Sequence, residues 1–166
     1  MTYKRFEDLP VWQTAVKLAE MVDDFSRSLD RGVLTFSQRD QIERASLSVS
    51  NNIAEGFERG TSKELIASLC IASGSSGEVW PMTHFLKDGP YFTDHRQVLK
   101  AIRDLAKSCS KQLSAWANHL QNSEIEGRRH LTDRKKEAFN QDQKATSFLK
   151  FVNDSLPDGH PAKRPN

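Results

Sequence analysis

Four long segments of the chain repeat apolar residues every three or four positions, and this spacing constrains the fold more than any other feature. An α-helix turns once in 3.6 residues, so the spacing places the apolar side chains on one helical face. A strand would need alternation at every second residue. The pattern predicts four main helices, over about 11–29, 37–57, 61–80 and 93–121.

Residues that favour helix starts stand just before or at the beginning of each segment. Their side-chain oxygens accept hydrogen bonds from the first free amides of a helix, and a proline fixes φ at the first position. The predicted starts are Asp8 before Pro10, Ser37 with Asp40, Thr61 with Glu64, and Thr93. Four helices joined by short turns favour an all-α fold, an up-down-up-down four-helix bundle.

The third segment contains two features that oppose a regular helix. Its residues 72–77 are all alanine, serine or glycine, and each helical glycine costs about 1 kcal/mol relative to alanine. Such a run predicts the close approach of another backbone, for which Gly56 on the second helix is the candidate partner. Pro81 cannot donate a hydrogen bond to Gly77, so we expect the helix to kink or end near Trp80.

The chain divides into two predicted regions. Residues 1–121 form the bundle, and residues 122–166 form a linker, a further helix and a frayed tail. A helical period returns over about 132–156, which predicts an additional C-terminal amphipathic helix. We expect the bundle to fold without this region, because the linker carries little apolar content.

Composition excludes several classes of protein. The formal charge of +2 in 166 residues is too weak to indicate nucleic-acid binding unaided. No apolar stretch approaches the ~18 residues of a membrane span, and the first residues lack the apolar core of a signal peptide. Cys70 and Cys109 cannot make a disulfide framework, so we expect a reduced, cytoplasmic setting.

The sequence also lacks the motifs of common catalytic and metal sites. It contains no phosphate-cradling glycine loop, no nucleophile elbow and no cysteines or histidines at metal-ligand spacing. We therefore predict no catalytic residues, no metal and no cofactor, and a protein that is not an enzyme. An enzyme remains the third alternative, because a site formed between subunits leaves no mark in one chain.

Five basic residues of the fourth segment share one predicted helical stripe, roughly opposite the core stripe. They are Arg96, Lys100, Arg103, Lys107 and Lys111. Asp104 lies beside the stripe and partly offsets its charge. The stripe is either a solvated face or a site for the phosphates of RNA or DNA, and no aromatic residue interleaves it to stack on a base.

The second segment carries a polar flank that we interpret as a subunit interface. Its residues are Arg44, Asn52, Glu55 and Arg59. Asparagine is a poor helix former in the middle of a helix, which gives Asn52 a role beyond helix formation. We expect Asn52 to bond a neighbouring helix or subunit, and Glu55 to pair with Arg59 or Arg44.

Three motifs in order resemble those of a known four-helix-bundle protein family. The most specific is Gln41-Ile42-x-Arg44-Ala45-x-x-Ser48-Val49-x-x-Asn52-Ile53-Ala54-Glu55-Gly56. The others are Val11-Trp12-Gln13-x-Ala15-Val16-x-Leu18 and Ile71-Ala72-x-Gly74-Ser75-x-x-Glu78. The family includes proteins encoded within intervening sequences of bacterial 23S ribosomal RNA genes. It is also similar to the accessory variability determinants of diversity-generating retroelements.

The resemblance implies a non-enzymatic helical protomer that assembles into a ring, a homopentamer. It implies an accessory protein that associates with RNA or DNA and assists a reverse transcriptase. The alternative is a protein-interaction scaffold whose ring presents the C-terminal helix to a protein partner, without nucleic acid. A salt-sensitive complex with nucleic acid favours the first interpretation, and a salt-insensitive complex with one protein favours the second.

Overall fold

The fold is seen in a computed structural model that describes residues 3–123 together with Ser147 and Phe148. The chain divides into two compact units, Met1–Glu126 and Gly127–Asn166. The predicted boundary after residue 121 falls a few residues before this division. The predicted fifth helix lies outside the described residues except for Ser147 and Phe148, which are helical.

Four long α-helices make up the first unit, and no extended strand occurs among residues 3–123. Their bounds are α1 Pro10–Ser28, α2 Phe36–Arg59, α3 Ser62–Lys87 and α4 Arg96–Gln121. Short 3-10 helices precede α1 at Phe6–Asp8 and α4 at Pro90–His95. The predicted all-α class is confirmed.

Contacts between neighbouring helices show that they run up, down, up and down. Ser48 in the middle of α2 meets Ser75 in the second half of α3, with hydroxyl oxygens 2.8 Å apart. Gly56, near the end of α2, lies against Ser68 near the start of α3, so the two helices are antiparallel. Helices α3 and α4 are also antiparallel. The Ser76 hydroxyl donates to the carbonyl oxygen of Ala106, whereas the hydroxyl of Ser73, which comes earlier in α3, meets that of Ser110, which comes later in α4.

The core lies between the four apolar stripes that the sequence predicts. Large side chains such as Leu18, Ile53, Leu69 and Ile102 are fully buried there. Burial of such a side chain contributes roughly 1.5–3 kcal/mol, so these stripes are the main source of stability. Cys109 belongs to this core, and burial raises the pKa of its thiol to about 11.

The starts of two helices differ from the prediction. α2 begins one residue earlier, because Thr35 accepts from the amide of Gln38, whose side chain bonds back to the amide of Thr35. The predicted pair of Ser37 and Asp40 is therefore not the capping box. Thr93 does not cap α4, since it lies inside the preceding 3-10 helix.

The starts of the other two helices follow the prediction more closely. Pro10 occupies the first turn of α1, but Leu9 is the capping residue and makes no side-chain hydrogen bond, so Asp8 does not cap the helix. Asp8 ends the short 3-10 helix instead. Thr61 caps α3 as predicted, accepting from the amide of Glu64.

Helix α3 passes through Pro81 and ends at Lys87, so of the two predicted alternatives, a kink or an end near Trp80, the end is wrong. Thr83 and Leu86, beyond the proline, are almost completely buried. Packing of this last stretch outweighs the loss of one backbone hydrogen bond. The Thr83 hydroxyl donates to the carbonyl oxygen of Trp80 at 2.7 Å, so this buried hydroxyl has a partner within the helix.

The small residues of α3 act differently from the prediction. A Cβ atom at Gly56 would lie 2.6 Å from the Cβ of Ser68, so the close approach occurs one to two turns before the 72–77 run. Gly74 and Gly77 face open space. The serines of the run instead bond to both neighbours, Ser75 to α2 and Ser76 to α4.

Candidate nucleic-acid interface

The five basic residues predicted on α4 share one flank of the helix, but this flank turns toward α3 rather than directly away from the core. Arg96, Lys100 and Lys111 are exposed, whereas Arg103 and Lys107 are half-buried. The ammonium nitrogen of Lys107 lies 4.6 Å from the centre of the Trp80 ring on α3, a cation–π contact. Part of the predicted solvated stripe is thus a packed seam between two helices.

Two ring-bearing residues of α3 complete this surface, and sequence reasoning missed both. Trp80 is 43% exposed, and the ring of His84 lies edge-on to it with centroids 6.2 Å apart. Aromatic residues are absent from the stripe on α4 itself, as predicted. The spacing within α4 could not show that α3 brings Trp80 beside Lys107. We call Trp80, His84 and the five basic residues of α4 the α3–α4 basic surface.

Asp104 is the acidic residue that lies within the α3–α4 basic surface. Its carboxylate accepts from the Lys100 ammonium at 3.0 Å and lies 3.7 Å from the guanidinium of Arg103. The hydrogen bond from Lys100 lowers the pKa of Asp104, and the charges of Lys100, Arg103 and Lys107 lower it further. Asp104 is therefore ionised at neutral pH and offsets one of the five positive charges.

The same positive field acts on His84. Partial desolvation lowers the pKa of His84, and the charges of Lys87, Arg103 and Lys107 lower it further, against a smaller opposite effect of Asp88. A lowered pKa means that the imidazole is neutral at pH 7. His84 thus adds a ring rather than a charge to the surface under ordinary conditions.

A groove of about 300 Å³ runs beside Trp80 between the two helices. Helix α3 lines it with Ser76, Gly77 and Trp80, and α4 lines it with Ala106, Lys107, Ser110 and Lys111. Because Gly77 has no side chain and nothing lies within 4 Å of where one would begin, the α3 wall is open there. The groove therefore combines a small-residue floor, one aromatic ring and a basic rim.

Arg103 is held against the bundle by its own contacts. Its Nε atom is buried, makes no hydrogen bond among the described residues and lies 3.7 Å from Oδ1 of Asp104. Only 20% of its side chain is exposed, so its position is fixed by packing more than by solvent. A fixed guanidinium is well suited to a phosphate or carboxylate, because its donors form a planar fork.

The residues of the predicted subunit interface lie along the α2 flank nearest α3, and each has a partner within the chain. Asn52 donates to the Ser48 carbonyl at 2.7 Å, so it bonds its own helix rather than a neighbouring one. Glu55 pairs with Arg59, as predicted. The guanidinium Nη1 of Arg44 lies 3.6 Å from the carboxylate Oδ2 of Asp40.

A larger groove of about 750 Å³ lies between α2 and α3, but its charges are mixed. Arg44 lines it together with the acidic Asp40 and Glu78. Acidic groups repel phosphates, so the sign of the charge favours the smaller groove at the α3–α4 basic surface as an anion site. No residue of the predicted interface set belongs to that smaller groove.

The described part of the chain shows neither a metal centre nor a membrane span. Within residues 3–123, no group of three or more His, Cys, Asp or Glu side chains is arranged to hold a metal ion. None of the helices described here is both long and apolar enough to span a membrane.

Comparison with known proteins identifies the family. Residues 7–115 match the model of the family described as 23S rRNA-intervening sequence protein, a span that includes α1–α3 and α4 as far as Ala115. All five basic residues of α4 fall inside it. No curated protein and no solved structure matches the chain. The similarity to the accessory determinants of retroelements stays a prediction. The chain belongs to the 23S rRNA-intervening sequence protein family.

Proposed function

We propose that this protein is a non-enzymatic accessory protein that associates with RNA or DNA through the α3–α4 basic surface. The observation that carries the proposal is the convergence of five cations on one flank of α4, with Asp104 as the single acid among them. Membership in a family named for intervening sequences of 23S rRNA supports a link to nucleic acid. A reverse transcriptase is the protein partner that the retroelement resemblance suggests.

The chemistry of this surface favours phosphates over base edges. Lysine and arginine side chains on a helix flank neutralise phosphates and release their counterions, which gives affinity with little sequence preference. In a homo-oligomer, and in the proposed homopentamer, symmetry repeats the surface in every protomer. One strand could then contact several protomers, which raises the overall affinity without any new kind of contact.

Replacement of the central basic residues tests the proposal. We expect Lys100→Gln, Arg103→Gln and Lys107→Gln together to weaken binding to all RNA and DNA sequences, because each change removes a cation that neutralises a phosphate. The slope of log K against log salt should fall by about 0.7–0.9 for each phosphate that is no longer neutralised. Fluorescence anisotropy with labelled oligonucleotides at several salt concentrations measures both effects.

A matched control removes the same charge elsewhere. Lys4, Lys17 and Arg31 are exposed and lie outside the α3–α4 basic surface. Their joint replacement by glutamine should leave the salt slope near that of the native protein. An equal decrease of affinity in both triple variants would mean that net charge, and not this surface, controls binding. No retardation of RNA or DNA by the native protein at low salt would overturn the proposal.

The alternative function is a protein-interaction scaffold. It is favoured by large apolar side chains on the surface of the described helices, of which Leu47, Ile71 and Phe85 are more than half exposed. Such residues mark contacts between proteins when they lie close together. A scaffold would form a complex with one protein that persists at high salt, whereas nucleic-acid complexes would dissociate.

Assembly itself is tested at the polar flank of α2. We expect Glu55→Arg to change the oligomer mass in light scattering, because it breaks the pair with Arg59 and places two like charges one turn apart. Glu58→Arg, the same charge change at an exposed position of the same helix, is the control. An unchanged mass for Glu55→Arg would remove this flank from the proposed interface.

A further inference from the structure

We propose that the α3–α4 basic surface prefers single-stranded nucleic acid to duplex, because an unpaired base packs on the exposed part of Trp80. The inference rests on the proposed function and adds the class of nucleic acid that the surface takes. It also revises the expectation that this surface contacts only phosphates, because that expectation was based on the residues of α4 alone.

The geometry around Trp80 supports this selectivity. Trp80 as a residue is 43% exposed, whereas Trp12 and Trp116 pack against the core. It borders the groove between α3 and α4, where Gly77 and Ala106 present almost no side chain. A flat base can therefore approach the ring past these two residues, with the flexible side chain of Lys107, which lies over the ring, moving aside.

Cations stand where the phosphates of such a nucleotide would lie. The Lys107 ammonium is 4.6 Å from the ring centre, and Lys111 lines the same groove. A nucleotide with its base against Trp80 thus has a positive charge within reach of its phosphate. This pairing of a stacking ring with basic groups is the usual arrangement in proteins that bind single strands without sequence preference.

Duplexes cannot use the ring in the same way. Their phosphates are as accessible as those of a single strand and more closely spaced along the axis, so the basic residues alone do not favour the single strand. Their bases, however, are already stacked and paired, and exposing one requires the helix to open. Removal of one base–aromatic stack should weaken single-strand binding about 5- to 150-fold and leave duplex binding unchanged.

The experiment compares a thymidine homopolymer, which does not pair with itself, with a DNA duplex of equal length. Anisotropy titrations at one salt concentration use the native protein, Trp80→Leu, Trp80→Phe and the control Phe85→Leu, which removes another exposed aromatic of α3. We expect the native protein to bind the homopolymer more tightly than the duplex. Trp80→Leu should lose this preference, whereas Trp80→Phe and Phe85→Leu should keep most of it.

A second variant tests the groove without touching the ring. Gly77→Leu should fill the open α3 wall and favour the helix, so the fold should survive, while the base is excluded from Trp80. Disappearance of the single-strand preference in this variant supports the inference. Equal affinity of the native protein for both nucleic acids, or an equal decrease for both in Trp80→Leu and Gly77→Leu, overturns it while the proposed function stands. Failure of the native protein to bind either one overturns both.

Discussion

Single residues in this bundle carry steric demands that depend on the helix beside them. The clearest example is Gly56, which faces Ser68 across the α2–α3 contact at a distance that leaves no room for a methyl group. Gly74, on the outer side of α3, has no neighbour within 4 Å of where its Cβ would lie. Gly56 is therefore required by a close contact between helices, whereas Gly74 lowers the stability of its helix without a steric reason.

Alanine at these two positions should change the stability in opposite directions. Gly56→Ala would bring two Cβ atoms to 2.6 Å and force the helices apart, which typically costs about 1–3 kcal/mol and exceeds the gain in helix propensity. Gly74→Ala should stabilise the protein by up to about 1 kcal/mol. Urea unfolding measures both. A stable Gly56→Ala protein would show that α2 and α3 are not in close contact here.

The sequence predicts a close approach at the 72–77 run with Gly56 as its partner, whereas in the structure Gly56 meets Ser68, before this run. Composition shows where side chains are small, whereas the register between two helices decides which of them meet. That register depends on the tight connection at Gly60 and Thr61, where Gly60 adopts the left-handed conformation with φ of 78°. The 72–77 run pairs with other partners as a result.

Whole helices show a similar balance between local preference and packing. Helix α3 continues past Pro81 because both of its flanks are occupied, by α2 on one side and α4 on the other. The backbone hydrogen bond lost at Pro81 costs less free energy than the loss of the core contacts in the last turn of the helix would cost. Local sequence signals place each helix start within three residues, although three of the four predicted caps are wrong, and they do not show where a well-packed helix tolerates a break.

Replacement of Pro81 tests this balance at the level of the helix. Pro81→Ala restores an amide that can donate to the carbonyl of Gly77, so we expect greater stability, by about 2 kcal/mol after the entropy of the unfolded chain is considered. Pro10→Ala is the control, since proline at the first turn of α1 displaces no hydrogen bond. A decrease in the urea midpoint for Pro81→Ala would contradict the prediction.

The candidate site was predictable along α4 and not across to α3. The spacing of Arg96, Lys100, Arg103, Lys107 and Lys111 fixes their common flank, because helical geometry alone determines it. Burial of Arg103 and Lys107, and the presence of Trp80, depend on how α3 and α4 pack. The period within one helix holds no information about the neighbour that covers it.

On the scale of the whole molecule, the first unit should be an independent folding unit. Residues Met1–Glu126 contain the four helices and the core between them, and the family match at 7–115 lies entirely within this unit. Trp12 and Trp116 pack against this core. The bundle therefore packs two of its three tryptophans against its own core, and the third, Trp80, is exposed.

Removal of the residues after Glu126 tests this independence. We expect the shortened protein to melt cooperatively in circular dichroism and to bind nucleic acid with the salt slope of the full chain, because the α3–α4 basic surface lies within the retained unit. The full-length protein is the control. Non-cooperative melting would show that the C-terminal region belongs to the core.

The two-residue connection between α2 and α3 also affects the route by which the chain folds. Closing so short a loop loses little entropy, so this helical pair can form while the rest of the chain is still extended. Helices α1 and α4, which touch although they are distant in sequence, must dock later. During synthesis on the ribosome, the groove between α3 and α4 then becomes complete only as α4 emerges.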